Sequence, residues 1–203
     1  MYFKTGQKNV RSKENQDKIS GGERRSVFPF SNFVSLELRL NLNNSIFSNN
    51  TIKNSSFHIF ALDGNFAQFK NQLSKFATGD YIFQIDADEI PDEDLISALP
   101  EILETNSAVE VMLVPRINTV EGLTETHIKK WGWNINEFGW VNWPDYQWRI
   151  YKNTSHIKWK NKVHEVLEGH KTIGALPPTS EFALIHSKTI ERQEKQNNYY
   201  ETI

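Results

Sequence analysis

Cysteine is absent from the 203 residues. That excludes disulfide staples, cysteine zinc sites and a thiol nucleophile, and it suits a reducing compartment. No apolar run approaches the ~20 residues of a membrane-spanning helix. The opening Met1-Tyr2-Phe3-Lys4-Thr5-Gly6 lacks the apolar segment of a secretory signal, so a cytoplasmic location is expected. Surplus charge is lacking as well: 23 Lys and Arg stand against 25 Asp and Glu, a net charge of -2. This balance speaks against the broad basic surface of a nucleic-acid-binding protein, and no nucleic-acid partner is expected. The length suits one domain, or one domain with an appendage, and is enough to bury a core.

What is abundant is concentrated. All six tryptophans fall between Trp131 and Trp159, and large aromatic rings in one short stretch belong to a local core or to a contact surface. Residues 1–28 read as a polar, solvated arm. Val34, Leu36, Leu38, Leu40 and Leu42 alternate with polar residues, as in a half-buried strand. Residues 41–56, rich in Asn and Ser, read as linker.

From Phe57 the pattern is denser. Phe57 to Ala61 reads as a short strand, and Phe66, Phe69, Leu73 and Phe76 share one helical face. Tyr81-Ile82-Phe83-Gln84-Ile85 is nearly continuous in apolar character, like a strand covered on both faces. Pro91 with Asp92, Glu93 and Asp94 suits the first turn of a helix, whose inward residues would be Leu95, Leu99 and Ile102, with a kink at Pro100. Val109 to Val114, Gln147 to Tyr151 and Phe182 to His186 read as further strands. Alternating helices and strands predict an α/β sheet.

The strand at Tyr81 runs directly into Asp86-Ala87-Asp88-Glu89. Carboxylates are thereby placed at the C-terminal edge of a sheet, where open α/β sheets bind ligands. Alternation predicts Asp86 and Asp88 on one side, where their mutual repulsion would be relieved by a divalent cation. Oxygen ligands suit Mg2+ or Mn2+, ions that also clamp phosphates. An acidic turn capping the next helix is the plain alternative.

Three blocks in order resemble glycosyltransferase family 2 of the GT-A fold, in its phage and bacterial form. They are Asn65 to Gln72 followed by Gly79 to Glu89; Arg149-Ile150-Tyr151 with Ile157-Lys158-Trp159 and Val163-His164-Glu165; and Leu184-Ile185-His186 followed by Glu191, Arg192, Lys195 and Tyr199. The likeness runs from about Phe57 to Ile203, with residues 1–56 unmatched. It implies an α/β, GT-A-like (Rossmann-like) mixed sheet flanked by helices, lacking the usual first nucleotide-binding strands. It also implies an inverting, metal-dependent hexosyltransferase-type enzyme that takes a nucleotide-sugar donor and a carbohydrate-type acceptor. If phage-encoded, it would work in the host cytoplasm.

The resemblance implies roles. Asp86 and Asp88 would meet the donor, with Arg192 and Lys195 on its diphosphate. Asp88 and His186 would hold Mn2+ or Mg2+. Glu165 would be the base, with Glu121 and Asp145 as other candidates, and His164 is a rival ligand or a core histidine. Trp131, Trp133, Trp140, Trp143 and Asp145 would contact the acceptor, flat rings stacking on sugar faces, while Trp148 and Trp159 would be core. Inverting transfer needs a base at the acceptor hydroxyl and charge stabilisation on the leaving group, and no covalent nucleophile. Two other classes fit parts of the pattern: an inactive carbohydrate-binding module or truncated pseudoenzyme keeping the tryptophan surface, and a metal-dependent phosphoesterase using Asp86, Asp88 and Glu89.

Overall fold

The computed structural model describes residues 58, 60 and 62–202. The expected polar arm, the alternating strand at 34–42, the linker at 41–56 and most of the strand at 57–61 lie outside the described residues.

Four strands form the main sheet: β1 (Tyr81–Phe83), β3 (Val111–Val114), β5 (Gln147–Lys152) and β8 (Ile173–Ala175), in the order β1-β5-β3-β8. The first two pairings are antiparallel and β3 pairs with β8 in parallel, so the sheet is mixed. A second sheet joins β2 (Ile90–Pro91), β9 (Leu184–Thr189) and β4 (Arg116–Glu121), with β9 in the middle. β6 (Lys158–Lys160) and β7 (Val166–Glu168) form a hairpin. Helices α1 (Phe66–Ser74), α2 (Glu93–Thr105), α3 (Glu125–Trp131) and α4 (Ile190–Tyr200) complete an α/β domain.

Both faces of the main sheet are covered, as the apolar run at Tyr81 predicts. Tyr81, Phe83 and Ile85 pack with Leu95, Leu99 and Leu103 of α2. Ile82, Val111 and Tyr151 pack on the other side with Ala67, Trp159 and Leu167. Period-two alternation divides the strand residues between two cores.

Several local expectations are corrected. Pro91 is not in the first turn of α2: it pairs with Leu184 in β2, and the Asp92 side chain caps the helix by accepting from the Asp94 N–H. Leu103, fully buried, joins Leu95 and Leu99 on the inward face, with Ile102 partly buried against the same core, and α2 continues through Pro100. The most buried face of α1 carries Ala67 and Lys70 rather than the phenylalanine stripe, and Phe76 is exposed. A buried lysine needs anionic partners, and they stand at the acidic strand end.

Candidate functional site

Beyond Phe83 the chain stays extended through Gln84 and then turns, with the Glu89 N–H donating to the Asp86 carbonyl at 3.0 Å. The two aspartates therefore reach their places through a turn and not through strand alternation, and each meets its own cations. Asp86 lies 2.6 Å from Nη2 of Arg149 and 3.3 Å from Nζ of Lys70. Lys70 also lies 3.6 Å from Glu165 and 4.6 Å from the centre of the Trp159 ring. One buried ammonium thus joins α1, the acidic strand end and the loop before β7.

Glu89 is the anchor. Its side chain has no exposed surface. Arg149 donates to both oxygens, Nε to Oε2 and Nη2 to Oε1, each at 2.7 Å. Arg116 donates to Oε1 at 2.9 Å, and the Asp86 N–H to Oε2 at 3.1 Å. Burial by itself would raise the Glu89 carboxyl, but the charges and hydrogen bonds of Arg149, then Arg116, outweigh it and hold it well below the usual carboxylate range. With both oxygens committed, Glu89 is not available to a phosphoesterase metal site.

Asp88 faces the second sheet. Its Oδ2 lies 3.2 Å from Nε2 of His186 and 3.1 Å from Nη2 of Arg192. Burial pushes its carboxyl up, yet the hydrogen bond and charge of His186 in its protonated form, with the charges of Lys188 and Arg192, bring it down to about 2. His186 is buried on β9, its pKa lowered first by burial. The parallel register places Asn118 of β4 opposite it, and Nδ1 of His186 meets Oδ1 of Asn118 at 2.7 Å. Asn118 donates through Nδ2 to Oδ2 of Asp145 at 2.6 Å. That same oxygen accepts from Nε and Nη2 of Arg116 at 3.0 and 2.7 Å. A continuous chain of polar contacts therefore runs Asp86–Arg149–Glu89–Arg116–Asp145–Asn118–His186–Asp88–Arg192.

Helix α4 packs beside this cluster, against β9 and β4. Tyr200 packs edge-on against Phe66 and His164. Its hydroxyl is raised by burial and then by the nearby charges of Glu165, Asp86 and Asp88. A cleft of about 520 Å3 adjoins, lined by Glu121, Gly139, Lys188 and Arg192 among others. Lys188 is lowered to about 8, mainly by burial and further by Arg116 and Arg192.

The tryptophan loop hangs from β4. The Val141 N–H donates to the Asn118 carbonyl at 2.9 Å and the Arg116 N–H to that of Pro144 at 3.0 Å. Within it Trp131 lies 4.6 Å from Trp133, and Trp140 lies 4.8 Å from Trp143 and 5.0 Å from Phe138. These four tryptophans are partly exposed, and Phe138 is 65% exposed. Trp159 is core, its Nε1–H bonded to Gln84 at 2.7 Å, and Trp148 packs beside the same cluster.

The residues expected to form a site are thus partly gathered. Asp86, Asp88, Glu165, His186 and Arg192 share one charged edge. Asp145 is bonded inward through Oδ2, and Lys195 is exposed on α4. His164 is exposed and in the left-handed region at φ 54°, and Glu121 ends β4. Among the described residues no group of three or more His, Asp or Glu side chains is placed to hold a metal. Sequence reading missed Lys70, Arg116, Asn118, Lys188 and Tyr200 as members of this site. Lys188, two residues beyond His186 on one strand, was within reach of period two, whereas Lys70 and Asn118 carried no signal without the tertiary contacts. No helix among the described residues is long and apolar enough to cross a membrane.

A family model described as glycosyl transferase family 2 matches residues 45–172. The match begins inside the segment expected to be unmatched and stops before His186, Arg192 and Lys195. No curated protein matches the chain.

Proposed function

The chain belongs to glycosyl transferase family 2, and from that premise we propose that it moves a sugar with inversion from a nucleotide-sugar donor to a carbohydrate-type hydroxyl acceptor, aided by Mn2+ or Mg2+. The observation that carries this reading is the gathering of Asp86, Asp88, His186, Arg192 and Glu165 along one edge. The fit to an ion rests on donor geometry. Neighbouring ligands of an octahedral ion with bonds of about 2.1 Å are about 3 Å apart, and Oδ2 of Asp88 and Nε2 of His186 are 3.2 Å apart. Two protein ligands suit ions that take their remaining positions from phosphates and water.

Glu165 would take the proton of the acceptor hydroxyl as that oxygen bonds to C1 and the bond from C1 to the diphosphate breaks. Its side chain is 15% exposed and lies 3.6 Å from Nζ of Lys70. Asp86 would bind the ribose or the donor sugar. Arg192, exposed at the rim, and Lys188 in the cleft would face the departing diphosphate. The ion, when bound, would supply Lewis-acid stabilisation of that leaving group. Trp131, Trp133, Trp140 and Trp143 would stack on the acceptor.

A thermal-shift panel of UDP-, GDP-, CMP- and dTDP-sugars with and without Mn2+ tests the reading. Stabilisation should require both the metal and one nucleotide, and Asp88→Ala should abolish it. Glu165→Gln should keep the shift and lose about 10²–10⁴-fold in turnover. A shift with glycans alone, indifferent to Mn2+ and to every nucleotide, would instead identify a carbohydrate-binding module.

A further inference from the structure

We propose that Asn118 and Asp145 are positioning residues for the ion, holding His186 in the tautomer that carries its proton on Nδ1 and presents the Nε2 lone pair beside Asp88. This rests on Asp88 and His186 being a metal pair, as proposed above.

The direction of every hydrogen bond in the chain follows from what each group can do. Arg116 donates to Oδ2 of Asp145 through Nε and Nη2. A guanidinium only donates, so that oxygen is an acceptor. Asn118 must therefore turn its amide nitrogen to Asp145, 2.6 Å away. The second hydrogen of that nitrogen points to the carbonyl of Val141 at 3.4 Å, another pure acceptor. The amide oxygen is left to face His186, and an amide oxygen also only accepts. Nδ1 of His186, 2.7 Å away, must then carry the hydrogen.

The consequence falls on the other ring nitrogen. A neutral imidazole has one N–H, so with Nδ1 protonated Nε2 is a bare lone pair, 3.2 Å from the carboxylate oxygen of Asp88. Two electron-pair donors facing each other at that distance can share a cation, beside the Arg192 guanidinium that meets the same Asp88 oxygen at 3.1 Å. The opposite tautomer, with its proton on Nε2, would donate to Asp88 and occupy both would-be ligands with each other. A histidine that ligates a metal donates its second N–H to an oxygen that orients the ring, and loss of such a partner costs about 10–100-fold in metal affinity. Here that oxygen belongs to an asparagine whose own orientation is dictated by the carboxylate behind it. Position supports the same role: Asn118 is the register partner of His186 in a continuous parallel pairing, so backbone hydrogen bonds hold the two side chains abreast.

The test reads the proton directly. Long-range 1H–15N spectra of the metal-free protein, recorded at about pH 8.5, two units above the ordinary imidazole pKa, assign the tautomer of each histidine, with His186→Gln identifying the relevant signals. Mn2+ affinity is then read from paramagnetic broadening of those signals. The wild type should carry the proton on Nδ1, and Asn118→Leu should shift it to Nε2 and weaken Mn2+ binding about 10–100-fold. The wild-type spectrum stands by itself if Asn118→Leu does not fold. A wild type that binds Mn2+ with its proton on Nε2, or an Asn118→Leu protein with unchanged tautomer and affinity, overturns the relay and leaves the metal pair standing. A wild type that takes up no Mn2+ removes the metal pair and the relay with it.

Discussion

Replacing Glu89 by Gln should be among the most damaging single changes in the protein, although the two side chains have the same shape. Glu89 accepts three charge-assisted bonds from Arg149 and Arg116 and one from the Asp86 N–H, with no exposed surface. Gln keeps one accepting oxygen and turns an NH2 group towards a guanidinium, donor against donor. Two arginines lose a shared counter-charge, one of them almost wholly buried. Removing one partner of a buried ion pair costs about 3–5 kcal/mol, a large part of the 5–15 kcal/mol that typically separates folded from unfolded. With a urea slope of about 2 kcal/mol per molar, the unfolding midpoint should fall by about 1.5–2.5 M. Equilibrium urea unfolding followed by tryptophan fluorescence measures it. Glu89→Gln paired with Arg116→Met in a double-mutant cycle should show strong coupling. A midpoint within 0.5 M of the wild type (about 1 kcal/mol at that slope) would refute the view that Glu89 anchors the site.

Other outcomes follow from the same contacts. Asp88, brought from an ordinary 3.8 to about 2, has a depressed pKa, so its stabilising contribution is complete above its unfolded value and disappears as pH falls through its folded one. About 2 kcal/mol should be lost between roughly pH 4 and pH 2; urea midpoints across that range should fall less steeply in Asp88→Asn, and parallel curves would contradict the assignment. Trp159→Phe removes the indole bond to Gln84 and leaves a smaller ring face beneath Lys70, and should cost about 2 kcal/mol by thermal or urea unfolding. Gly169 has φ +90°, and a Cβ there would run into the carbonyl oxygen of His156. Gly169→Ala should therefore destabilise by more than about 1 kcal/mol, seen as a lowered melting temperature, and a neutral result would show that this turn yields easily.

Local order was legible where a residue's neighbours in sequence decide its environment. The nearly continuous apolar run at Tyr81 announced a strand covered on both faces, and its continuation into Asp86 and Asp88 located the charged edge. Helix α2 was visible from its acids and leucine spacing. Its first residue was misplaced because Pro91 is claimed by pairing with Leu184, a partner 93 positions away. Likewise the face of α1 was misjudged, since hydrophobic spacing favours Phe66 and Phe76 while charge draws Lys70 inward. Sequence spacing cannot weigh an ion pair whose members are distant along the chain.

By itself, then, the sequence determined the chemistry on offer: carboxylates at a strand end, a histidine and cations near the close, a crowd of tryptophans between, and no thiol. Only the tertiary structure decided how those groups are shared out. It gave Asp86 to Arg149 and Lys70, buried Glu89 between two arginines, and set Asn118 beside His186. The reason is that hydrogen bonding and Coulomb attraction act over a few ångströms in space, and the fold, through strand register and sheet order, chooses which distant residues come within that range.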